Sequence, residues 1–165
     1  MKKSVIFALC LLAGTALILT GCGKSAAEKA AEKAAESATN GQADVDLSNQ
    51  KITVNTNGST IEVGGDIALP SGFPEDVYVV DGTIKSASTV NEGKGYSVMI
   101  ETNQSVADLK DLYDAKLKEE GWNITFSMNL GDSFTMAAEK GNRTANVTLG
   151  QGEEANTVLI GTSEK

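Results

Sequence analysis

The chain has 165 residues, with 22 acidic against 14 basic side chains, a net charge of −8, no histidine and two cysteines. Without histidine there is no Ser-His-Asp triad, no Cys-His pair and no His-based zinc site. The acidic excess argues against nucleic acid and anionic lipid as partners, since both are bound by clustered Lys and Arg.

The chain opens on Met1-Lys2-Lys3, a short basic stretch. From Val5 to Leu19 follows a 15-residue apolar run interrupted only by Gly14 and Thr15. That length suits the hydrophobic region of a signal peptide, whereas a membrane-spanning helix needs about 20 residues. At its polar end stands Leu19-Thr20-Gly21-Cys22: an aliphatic residue, two small ones and a cysteine.

These four residues resemble the lipobox of bacterial lipoproteins. The resemblance implies that residues 1–21 are a lipoprotein signal peptide and that Cys22 is lipidated. Cys22 then becomes the first residue of a mature protein that is extracytoplasmic and anchored by lipid to a bacterial cell membrane. Cys10 leaves with the signal, so the mature chain has no free thiol and no disulfide, and must be stable through its core alone. Lys2 and Lys3 leave too, which moves the net charge from −8 to −10.

Residues 22–50 read as the lipidated N-terminus followed by a spacer. Ala26 to Ser37 is AAEKAAEKAAES, rich in helix formers and without a Leu or Ile seam. Such sequences act as semi-rigid, partly helical rods. Asp44-Val45-Asp46 imitates the start of a calcium loop. The sixth and twelfth positions, which require Gly and Glu, hold Asn49 and Asn55.

Residues 51–165 read as a single α+β domain. Ile52 and Val54 alternate with polar residues, as do Ile61 and Val63, on either side of Asn57-Gly58, a hairpin turn. Leu69-Pro70-Ser71-Gly72-Phe73-Pro74 holds both prolines, which make a stiff extended crossing. Leu69 and Phe73 are expected to pin it to the core. Strands are predicted at Thr83–Val90 and Gly95–Glu101, with Asn91 to Lys94 as the turn between them.

Ser105 is a good N-cap, and Asp108 three residues on approximates a capping box. Val106, Leu109, Tyr113 and Leu117 fall on one helical stripe, and Gly121 suits the C′ position. The spacing predicts a helix over 105–120. Beyond it three strands alternate: Trp122, Ile124, Phe126 and Met128 on one face; Phe134, Met136 and Ala138; Ala145, Val147 and Leu149. A fourth, Thr157 to Thr162, turns Val158 and Ile160 inward. The expected architecture is an antiparallel sheet with one amphipathic helix packed on one face, preceded by a β-hairpin. The opposite face is expected to be polar, carrying Asn123, Thr125, Ser127, Ser133, Thr135, Thr144, Asn146 and Thr148.

The order LPxGFPxDV, strand pair, helix with Gly-Trp, then strand meander also resembles a group of small bacterial lipoprotein domains. The matching residues are Leu69, Pro70, Phe73, Pro74, Asp76, Val77 and Tyr78, then Val106, Leu112, Tyr113, Leu117, Gly121 and Trp122. This chain lacks the later prolines of that pattern. The resemblance implies an α+β fold on a lipid anchor and carries no activity.

No catalytic or metal site and no cofactor is expected, so the chain reads as a non-enzyme. Asp108, Asp111 and Asp114 spread over the solvated side of the helix. Val63-Gly64-Gly65 precedes neither a helix nor a lysine, unlike a phosphate loop. Trp122 and Tyr113 could stack on a ligand, but aromatic residues beside a helix contribute most to the core. The expected function is a membrane-anchored envelope interaction module whose partner is an envelope protein or the cell wall. The alternative is a small domain binding an apolar ligand or a glycan.

Overall fold

The computed structural model describes residues 26–165 apart from Ser48, Asn57 and Asp66. The signal peptide and Cys22 lie outside the described residues, as does the first residue of the Asn57-Gly58 turn. Helix α1 (Ala26–Ala38) leads into strands β1 (Ala43–Asp46), β2 (Lys51–Thr56) and β3 (Ser59–Gly64). A crossing without regular structure leads to β4 (Thr83–Val90), a 3₁₀ turn at Asn91–Gly93 and β5 (Gly95–Thr102). Then come helix α2 (Val106–Glu119) and the strands β6 (Asn123–Leu130), β7 (Ser133–Lys140), β8 (Arg143–Gly150) and β9 (Asn156–Glu164). The described strands form one antiparallel sheet in the order β1-β2-β3-β4-β5-β9-β8-β7-β6, an α+β fold.

The topology follows from one long connection. Fourteen residues of α2 span about 21 Å, and four strand spacings amount to about 19 Å. The helix therefore carries the chain from β5 to the far edge at β6. The meander β6-β7-β8-β9 walks back until β9 pairs with β5, from Gly95↔Ser163 to Thr102↔Asn156.

Local chemistry defines both ends of α2. Ser105 Oγ accepts the Asp108 amide at 3.1 Å and donates to Asp108 Oδ2 at 2.7 Å. At the other end the Trp122 amide donates to Leu117 O and the Gly121 amide to Lys118 O, with Gly121 at φ +81°. This double bond pattern over a left-handed residue is the Schellman closure, which glycine adopts without a Cβ clash. Leu109, Tyr113 and Leu117 are buried in one cluster with Val98, Ile100, Met136, Val147, Leu149, Val158 and Ile160. Phe73, Val77 and Val80 of the crossing join that cluster.

Three expectations about packing are corrected. Leu69 is 41% exposed and does not pin the crossing; Ile67, Phe73, Val77 and Val80 are the buried residues there. Phe126 (47%) and Met128 (42%) are exposed rather than part of the helix interface. The reason is a bulge: Ile124 faces Ala138 and Phe126 faces the adjacent Ala137, so Thr125 is an extra residue in β6. One inserted residue moves every later side chain to the other face of a strand. The outer face is accordingly not a purely polar one.

The third correction concerns the spacer. The sheet starts at Ala43, inside the segment 22–50, because Ala43↔Val54 and Val45↔Ile52 pair in register. Helix α1 lies against this edge strand. Thr39 Oγ1 accepts the Ala43 amide at 3.1 Å, and buried Glu32 accepts the Leu47 amide through Oε1 at 3.0 Å. Covering an edge in this way removes a free template for strand addition.

Candidate functional site

Two surfaces carry chemistry that the core does not explain. The first is a clasp where the crossing meets the turn between β7 and β8. Lys140 and Arg143 face each other in register at that turn. Both reach Asp76 of the crossing: Arg143 Nη1 donates to Oδ1 at 2.9 Å and Nη2 to Oδ2 at 2.5 Å, while Lys140 Nζ donates to Oδ2 at 2.7 Å. The hydrogen bonds from Arg143, with those of Lys140 behind them, hold the Asp76 carboxyl at about 2 against an ordinary 3.8; partial burial works the other way.

Trp122 completes the clasp. Its indole Nε1 donates to Asp76 O at 2.8 Å, and its ring lies 5.1 Å from the Arg143 guanidinium and 5.9 Å from Lys140 Nζ. A cleft of about 220 Å³ opens beside these groups, lined by Tyr96, Trp122, Arg143, Lys94 and Thr162 among others. Gly72 (φ +86°) is needed there: a Cβ would stand 2.7 Å from the Tyr96 hydroxyl. Two more clefts, of about 550 and 280 Å³, lie at Asp81–Thr83 with Glu101–Gln104 and at Pro70-Ser71 with Thr60 and Ala87. None of the three is lined by an α2 side chain.

The second surface is the sheet face opposite α2. Register assembles one row across every described strand: Val45, Ile52, Val63, Ser86, Met99, Leu159, Thr148, Thr135 and Met128. The neighbouring row runs Ala43, Val54, Ile61, Ser88, Ser97, Gly161, Asn146, Ala137 and Phe126. These eighteen positions hold no charged side chain, although 22% of the sequence is charged and about four would be expected. The reverse side of the same β2 and β3 carries Lys51 and Glu62, ion-paired at 2.6 Å. Ile52, Ile61, Val63, Phe126, Met128, Leu130 and Leu159 are all exposed large hydrophobics.

The residues singled out in the sequence are placed as follows. Trp122 and Tyr113 are both buried, Trp122 at the clasp and Tyr113 under α2, where its ring meets Tyr78 edge-on at 5.6 Å. Burial pushes the Tyr113 hydroxyl up, and the Val80 backbone beside it partly offsets this. Asp114 pairs with Lys118 on the surface of α2 at 2.6 Å. No group of three or more metal-ligating side chains occurs among the described residues. The clasp residues Asp76, Lys140 and Arg143 were not singled out for chemistry. The available signals were that Arg143 is the chain's one arginine and that Asp76 belongs to the Phe-Pro-x-Asp-Val motif.

The comparisons with known proteins bear on the same region. Residues 83–156, from β4 through α2 to the first residue of β9, are similar to the START domain-like family. No curated protein matches the chain.

Proposed function

We propose that this chain is a lipoprotein of the bacterial cell envelope, held outside the cytoplasm by lipid on Cys22 and acting as a non-enzymatic interaction module. The observation that carries the module reading is the pair of charge-free rows across the outer face, where exposed aliphatic and aromatic side chains have no covering element among the described residues. Exposed apolar patches of this kind mark interaction sites on soluble domains. The packed helix–sheet interior supports the same reading, since Leu109, Tyr113 and Leu117 fill it without leaving one of the clefts beneath α2.

A second reading is a small-ligand domain. It is favoured by the similarity over residues 83–156 and by the Tyr96–Trp122–Arg143 cleft, which offers rings and hydroxyls to a glycan-sized group.

Two measurements test the proposal. Cys22→Ser should move the protein out of the membrane fraction or leave it unprocessed; an intact mass showing unmodified Cys22 in the native protein overturns the anchor. A photo-activated cross-linker placed at Leu159 in cells should yield adducts, and one at Asp111 on α2 should not. Equal labelling from both positions overturns the docking face.

A further inference from the structure

The outer face can be assigned a partner, and the inference rests on its being a docking surface. We infer that it docks on the same face of a second copy of this chain, sheet against sheet. Charge is the first reason. Each mature copy carries a net charge of −10, so two copies repel wherever their acidic surfaces meet. The two central rows are where that repulsion is absent, and a like-charged partner can approach there without desolvating an ion.

Size is the second reason. Eight strand spacings give about 38 Å of width, and the two outward rows, four residues of strand, give about 13 Å of depth. The resulting area is about 500 Å² per copy, or about 1,000 Å² in total, which is the lower limit for a specific interface.

Shape is the third. Two copies of one sheet share the same twist, which is the condition for aligned face-to-face packing at about 10 Å separation. The rows suit such packing because large side chains gather in one half, at Ile52 and Val63 of β2 and β3, and smaller ones in the other, at Thr148 and Thr135 of β8 and β7. A two-fold axis along β5, the middle strand of the nine described, would set β2 on β7, β3 on β8 and β4 on β9, so that Ile52 meets Thr135, Val63 meets Thr148 and Leu159 meets Ser86.

The test uses the full-length lipoprotein in its own membrane. Two copies with different affinity tags are co-expressed, each with the photo-activated cross-linker at Leu159. The expected result is an adduct of twice the chain mass that carries both tags. Met99→Asp, which puts a charge in the middle of the face, should lower its yield at least about tenfold while the melting midpoint stays put. Should that substitution shift the midpoint, Ser97→Asp serves instead.

An adduct that persists undiminished in the charged variant overturns the inference. So does an adduct to a different protein with none carrying both tags, although that outcome leaves the docking face standing. No adduct at all overturns both the second copy and the docking face.

Discussion

Arg143 holds Asp76 with two parallel hydrogen bonds, 2.9 and 2.5 Å long, across 67 residues of sequence. The pair ties the irregular crossing, whose Phe73, Val77 and Val80 enter the core, to the turn that joins β7 and β8. Asp76 is only 20% exposed, and its removal takes from Arg143 and Lys140 the carboxylate that both of them hold.

Asp76→Asn should destabilise the domain by about 1–2 kcal/mol at neutral pH, the scale of a charge-assisted, partly solvated pair. The carboxyl is lowered from 3.8 to about 2 in the folded protein, so its contribution is complete above about pH 5. That contribution is lost as pH falls through 4 towards 2. Urea midpoints of the wild type and the variant should therefore converge near pH 2. A gap that stays constant from pH 7 to pH 2 would show that the carboxylate charge is not what Asp76 contributes.

The bulge in β6 separates two phenylalanines that look alike in the sequence. Phe134→Ala should cost about 3–5 kcal/mol, as for a buried aromatic. Phe126→Ala should cost less than about 1 kcal/mol, because nearly half of its surface is already in water. Comparable losses in chemical denaturation would place Phe126 in the core and remove the bulge.

Truncation tests the role of the first described helix. A chain beginning at Gln50 lacks β1, the Glu32–Leu47 bond and the Thr39 bond to Ala43. It should lose more than about 1 kcal/mol, beyond the 0.5 kcal/mol usual for changes away from packed features. Its new edge at β2 should also make it more prone to self-association, which light scattering would register. An unchanged melting midpoint would return residues 23–50 to the status of a free spacer.

Much of the fold was legible because it is encoded over short distances. The cap at Ser105, the stripe Leu109-Tyr113-Leu117 and the glycine at 121 act within one helix, and all three residues of the stripe are buried. The alternation of Met136 and Ala138, Val147 and Leu149, and Val158 and Ile160 needs only a period of two, and each of these side chains lies in the core. Of the site, the sequence by itself pointed to Trp122, but as a ring beside the helix rather than as Asp76's partner.

What the tertiary structure alone decided has a common physical cause: it depends on neighbours that sequence distance hides. A period of two cannot reveal a one-residue bulge, so Phe126 and Met128 read as core until their pairing with β7 placed them outside. Asp76 and Arg143 were one acid among 22 and the chain's one arginine until the crossing brought them together. The charge-free pair of rows exists in no single strand. It arises because the α2 crossover sets β9 beside β5 and aligns uncharged positions from nine separate segments into continuous rows.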